Sequence, residues 1–120
     1  MERLDARETN RLIASDKVEG TAVYNREDER LGTVERFMVD KASGQVEYAV
    51  LSFGGLFGLG EKYYPLPWKT LSYDTERGGY VVDVSKAQLE GAPNYDEDAE
   101  PAYDRDFDAR VYGYYGVPLP

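Results

Sequence analysis

The segment Tyr48–Trp68, YAVLSFGGLFGLGEKYYPLPW, constrains the fold of this chain more than any other. It reads as a strand, a glycine-rich loop and a second strand. The first strand, Gln45–Phe53 (QVEYAVLSF), places Val46, Tyr48 and Val50 on one face and Ala49, Leu51 and Phe53 on the other. A half-buried strand alternates apolar with polar residues. Here both faces are apolar in the second half of the strand, so it must be covered twice. One cover is the interior of a β-barrel or sandwich. The other is a helix, the C-terminal tail or a second subunit. Leu56 and Phe57 stand at the tip of the loop, where water is normally met, and exposed apolar tips usually meet another surface.

The glycines of the loop invite comparison with phosphate-binding motifs, but they are spaced Gly55-x-x-Gly58-x-Gly60, which matches neither G-x-G-x-x-G nor G-x-x-x-x-G-K-[ST]. A phosphate loop also needs a helix start behind it, whose amides hold the anion. The residues that follow, Tyr63-Tyr64-Pro65-Leu66-Pro67, do not start a helix. The loop reads instead as a wide hairpin.

Other chemistry is narrowed by composition. A chain of 120 residues is one domain with a core large enough to stand without staples. It has no cysteine and no histidine, which removes disulfides, thiolate metal sites and the usual general base. Its net charge of −9 argues against nucleic acid and anionic lipid as partners. No apolar run is long enough to span a bilayer. The N-terminal MERLDARETNR has no apolar core of a secretory signal, so a cytoplasmic location is expected.

Residues 1–11 are charged and aperiodic and are expected to be flexible or a short helical turn. From Leu12 onwards the chain reads as short strands split by turns. Strands are expected at Thr21–Tyr24, Thr33–Asp40, Gln45–Phe53, Lys62–Leu66 and Tyr80–Val84, with a short element through Trp68, Leu71 and Tyr73. In Thr33–Asp40 no single period-2 face holds Val34, Phe37 and Val39, and a β-bulge near Glu35-Arg36 repairs the register. Gly44 ends a turn at a positive-φ position. Pro65 and Pro67 put the end of their strand at an edge. Ser85–Glu90 is a short helix with Ser85 and Gln88 at capping-box spacing, and Gly91 and Pro93 stop it.

The composition shifts at Pro93. Residues 94–110 carry seven acids, Asp96, Glu97, Asp98, Glu100, Asp104, Asp106 and Asp108, against two arginines. Acidic, Gly/Pro-rich composition argues for disorder. The density of tyrosines (Tyr95, Tyr103, Tyr112, Tyr114, Tyr115) argues for docking on something. Asp104-x-Asp106-x-Asp108 has the first spacings of a calcium loop, but Ala109 and Tyr115 occupy the positions that need Gly and Glu. It reads as a solvated acidic run, and no metal or cofactor is expected. Tyr63, Tyr64, Trp68 and Tyr73 form an aromatic cluster suited to barrel core and rim, or to a groove for Pro-rich peptides.

The blocks LIASDKVEGTAVYN, LGTVERFMVDKASGQVEYAVLSFGGLFGLGEKYYPLPW and YVVDVSKAQLEGAPNYD resemble, in order and spacing, the PRC-barrel family over about Leu12 to Asp96. Gly20, Gly32, Asp40, Gly44, the glycine loop, Leu89, Ala92, Pro93 and Tyr95 carry the resemblance. It implies an all-β fold: a small, strongly bent antiparallel β-barrel, with one short helix after the last strand and an irregular acidic tail. The family includes the cytoplasmic domain of the photosynthetic reaction centre H subunit, a domain of a ribosome maturation factor and stand-alone bacterial proteins. Its known members act through protein contacts, so the resemblance brings no catalytic residues.

The expected organisation is a flexible 1–11, a barrel domain 12–93 and an acidic, Tyr-rich extension 94–120. The expected function is a non-catalytic interaction or scaffold module with protein partners, self-associating. Leu56, Phe57, Leu51, Phe53, Tyr63, Trp68, Tyr112, Tyr114 and Tyr115 are the candidate contact residues. Alternatives are an adaptor for a membrane-bound or photosynthetic complex, and a small-molecule or metal-binding barrel. If the tail docks, the Ala49/Leu51/Phe53 face is where it is expected.

Overall fold

The computed structural model describes residues 12–54 and 61–120. The expected flexible segment 1–11 and the loop tip with Leu56 and Phe57 lie outside the described residues. A short helix α1 (Ser15–Val18), which the sequence did not suggest, precedes the strands and buries Val18. Seven strands follow: β1 (Ala22–Tyr24), β2 (Arg30–Val39), β3 (Val46–Gly54), β4 (Glu61–Pro67), β5 (Leu71–Asp74), β6 (Gly79–Val82) and β7 (Tyr95–Asp96). A 3₁₀ turn, Trp68–Thr70, joins β4 to β5. Helix α2 (Lys86–Glu90) follows β6, and helix α3 (Arg105–Tyr115) closes the chain.

The strands form a single sheet in the order β5-β6-β1-β2-β3-β4-β7. Two expectations are corrected here. Among the described residues the two outermost strands, β5 and β7, do not pair with each other, so the sheet is not seen to close into the expected barrel. Nor is it wholly antiparallel: β1 pairs with β6 in parallel, Val23 opposite Tyr80 and Tyr24 opposite Val81. That contact is made between segments far apart in sequence and leaves no local signal.

Several local expectations hold for identifiable reasons. In β2 the register shifts between Val34 and Arg36, so Glu35 is the extra residue that turns Val34 and Phe37 to the same side. Gly44 has φ +78° in the β2–β3 turn. Around α2 the Ser85 side chain accepts from the Gln88 amide, and the Gln88 side chain accepts from the Ser85 amide. β4 runs on to Pro67, and beyond Tyr63 its outer edge has no strand partner, which suits the missing amides of Pro65 and Pro67.

Cross-strand pairing fixes what each face of the sheet carries. Ala49 opposes Leu66, Leu51 opposes Tyr64 and Phe53 opposes Lys62. The Ala49/Leu51 face packs into the main core with Val23, Leu31, Val34, Tyr64, Leu66, Tyr80 and Val82, and Val18, Leu89 and Ala92 complete it. Around this core β2 and β3 lie unusually close. A Cβ placed on Gly32 would stand 2.1 Å from the backbone oxygen of Ser52. A backbone carbonyl within a ladder has nowhere to rotate to. Gly32→Ala is therefore expected to lower stability by about 1–3 kcal/mol, as overpacking does, with the strands prised apart. A urea midpoint equal to wild type would contradict this close approach.

Candidate interaction face

The second face of the sheet is also apolar, and it is here that the C-terminal segment lies. The same pairing puts Tyr48 beside Met38 and Pro67, Val50 beside Arg36 and Pro65, and Ser52 beside Thr33 and Tyr63. Tyr63 in turn opposes Tyr95 of β7. The tail is not irregular, which corrects a further expectation. Its acidic run is the start of an 11-residue helix, α3. Asp104 is the N-cap, accepting from the Phe107 amide at 2.9 Å. Asp106 and Asp108 occupy the first turn, where carboxylates complement the helix dipole. At the other end Gly116 is left-handed (φ 68°), and Gly116 and Val117 donate to the carbonyls of Gly113 and Tyr112, a Schellman closure.

Phe107, Val111 and Tyr112 point to one side of α3 and pack on Tyr48, with Met38, Tyr103, Tyr115 and Val117 around them. Tyr95 and Tyr103 extend this cover over Val50 and Tyr63. Thus the tail docks on the Tyr48/Val50 face, opposite to the one expected, because Ala49 and Leu51 are already enclosed by the main core.

The covering layer is largely aromatic. The ring centroid of Tyr48 is 5.2 Å from that of Tyr103 and 5.4 Å from that of Tyr112, both edge-on. Tyr103 lies 4.8 Å from Phe107, and Tyr63 lies 5.8 Å from Tyr95. Polar atoms at this interface are paired across it. The Tyr48 hydroxyl donates to Asp108 Oδ1, the Tyr112 hydroxyl donates to the Glu47 carbonyl at 2.8 Å, and the Tyr95 and Tyr103 hydroxyls share a bond of 2.8 Å. Arg36 sits over the Tyr63 ring and meets Glu100 at 3.4 Å. The Tyr115 hydroxyl differs from these: it is buried and has no hydrogen-bond partner among the described residues.

Burial holds these phenols neutral. It raises the Tyr112 pKa, with help from the charges of Glu47 and Asp108, to about 12. Burial likewise raises Tyr48, Tyr103 and Tyr115, the Asp108 hydrogen bond adding to it at Tyr48. An unfolded tyrosine ionises near ~10. A folded pKa above that value gives stabilisation that is complete below about pH 10 and is lost as the pH rises through the folded value. For Tyr112 the window is therefore about pH 10 to 12. Urea midpoints should be level up to about pH 9.5 and fall steeply above pH 10. A midpoint unchanged at pH 11 would contradict the buried aromatic layer.

The candidate contact residues fall into different environments. Leu51 is wholly enclosed in the main core, and Tyr63 and Tyr112 are buried on the second face. These three are occupied by the chain's own packing. Phe53 is half-buried with its ring 5.5 Å from that of Tyr64. Trp68 is also half-buried, between Phe37 and Tyr80. Tyr115 touches both the main core and the α3 cluster. Tyr114 is 44% exposed and donates to the Gln88 carbonyl. Sequence reasoning passed over Phe107 and Val111, although the spacing Phe107, Val111, Tyr112, Tyr115 traces one helix face.

Clefts lie on either side of α3, one of about 190 Å³ between Val39, Glu47, Tyr103 and Asp108 and one of about 300 Å³ between Pro101, Asp106 and Arg110. A further cleft, about 360 Å³, is polar and lies over β5 and β6. Its two arginines are engaged by carboxylates, Arg26 by Asp83 and Arg77 by Asp28 and Asp74. Among the described residues no group of three acidic side chains is placed to hold a metal ion.

A model of the PRC-barrel domain matches residues 11–89, about two thirds of the chain. The chain belongs to the PRC-barrel family. The match runs from just before α1 to the last turn of α2, and β7 and α3 lie beyond it. No curated protein matches the chain. This PRC-barrel protein is thus a small, mostly β module of a family whose domains often mediate protein interactions. Among its described residues, no helix is long and apolar enough to cross a membrane.

Proposed function

We propose that this PRC-barrel protein is a non-catalytic interaction module that associates with itself and with protein partners in the cytoplasm. The observation that carries this reading is the β3–β4 hairpin. Its strands stay paired to Gly54 and Glu61, and Phe53 near its end is only partly covered. The residues that bridge the hairpin include Leu56 and Phe57, two large apolar side chains in a connection that would ordinarily be polar. The absence of histidine and cysteine from the sequence supports a non-enzymatic role, since it removes the commonest bases, nucleophiles and metal ligands.

Light scattering and affinity capture test this reading. The double variant Leu56→Ser and Phe57→Ser should keep the wild-type melting temperature, lower the oligomeric mass and lose captured partners. An unchanged mass together with an unchanged set of captured proteins would sink the proposal.

A further inference from the structure

This inference rests on the interaction-module reading and concerns its second apolar face. The family match ends at residue 89, yet the face formed by Met38, Tyr48, Val50 and Tyr63 is covered by residues beyond that point. The cover is a helix that meets the face with three buried side chains, Phe107, Val111 and Tyr112. It adds a carboxylate for the Tyr48 hydroxyl and, from its leader, a carboxylate for Arg36.

The fit has a defect. The Tyr115 hydroxyl is buried without a partner among the described residues. A buried hydroxyl left unpaired loses its hydration with nothing in return. Apart from Tyr103, its leader, from Glu97 to Asp104, is mostly exposed, and the Arg36–Glu100 pair there is half open to water. A helix of 11 residues is marginal by itself and depends on the surface it docks on.

We infer that the Tyr48/Val50/Tyr63 face is a helix-binding site for an acidic amphipathic helix of a protein partner, and that α3 is its displaceable resident in cis. The partner helix carries an aromatic residue, an aliphatic one four positions later and an aromatic one next to that. A carboxylate directly follows the first aromatic, to reach Tyr48, and an acid lies ahead of the helix for Arg36. At the position of Tyr115 it carries an apolar residue, which removes the defect of α3. Attachment in cis gives α3 an effective concentration on the order of millimolar. A partner therefore binds only when its fit exceeds that of α3.

The test uses the full chain with Val111→Asp, which puts a charge at a wholly buried contact of α3 and leaves the sheet residues intact. The probes are fluorescent synthetic peptides: residues 97–120, the same peptide with Tyr115→Phe, and one with its acids replaced by lysine. The first peptide should bind the variant at least tenfold more tightly than it binds the wild-type chain. Tyr115→Phe should improve binding by roughly tenfold, and the lysine peptide should not bind. Equal binding to both chains, binding to neither, or tight binding of the lysine peptide would overturn the inference. Dimerisation of the variant without peptide would do so too, by making a second copy the occupant.

Should Val111→Asp fail to fold, hydrogen exchange on the wild-type chain decides instead. The α3 amides should exchange at least tenfold faster than those of β3, and equal protection would overturn the inference. A failure here with the Leu56/Phe57 result intact would leave the interaction-module reading standing.

Discussion

Ending the chain after Asp96 is expected to lower the free energy of unfolding by about 2–4 kcal/mol. The deletion removes Phe107, Val111 and Tyr112, all buried against β3. Each such side chain is worth ~1.5–3 kcal/mol when fully buried. Ordering of the tail opposes that gain, so the net loss is a small remainder of opposing contributions. The deletion also lays bare Tyr48, so the shortened chain should bind an apolar dye that the full chain does not. Urea melts of the two forms measure the first effect, and dye fluorescence the second. Equal stability without dye binding would mean that α3 does not cover this face in solution.

Leu51→Ala should be comparably damaging, at about 2–5 kcal/mol. Leu51 is the centre of the main core, paired with Val34 and Tyr64 and fully enclosed. Truncating it leaves a cavity that neighbours on three strands cannot collapse to fill, since β2 and β3 already touch at Gly32. A residue that faced solvent or a dissociable partner would cost under ~0.5 kcal/mol in the isolated chain. The melt therefore separates the two roles assigned to Leu51, as core residue and as contact residue. A loss below 0.5 kcal/mol would return it to the surface.

What the sequence made legible follows from how local each signal is. The doubly apolar Gln45–Phe53 announced that β3 is covered on both sides, and it is. The misphased apolar positions of β2 announced the bulge at Glu35, and Ser85 with Gln88 announced the cap of α2. Each is written within a few consecutive residues.

Helix α3 was missed because acid content and Gly/Pro content are averages, and averages erase phase. The spacing of Phe107, Val111, Tyr112 and Tyr115, with Asp104 three residues ahead of Phe107, holds the phase that composition discards. The side on which the tail docks was not legible. Val46, Tyr48 and Val50 are as apolar as Ala49, Leu51 and Phe53, and only the closure of the core around the second set decides between them. The parallel pairing of β1 with β6 and the open ends of the sheet arise from contacts between distant segments, which no local window contains. The candidate contacts divided along the same line. Trp68, Phe53 and Tyr114 keep exposed surface, whereas Leu51, Tyr63 and Tyr112 are enclosed by partners that only the folded chain supplies.

The chain's own C-terminal helix closes the second face of a PRC-barrel sheet, and proton–proton proximity in solution tests this. Cross-peaks are expected between the rings of Tyr48 and Tyr112, whose centroids are 5.4 Å apart, and between those of Tyr48 and Tyr103, at 5.2 Å. The Tyr73–Tyr80 pair of the main core, at 5.1 Å, serves as the internal reference. If the reference pair gives cross-peaks while both Tyr48 pairs give none, the helix does not cover the face in solution.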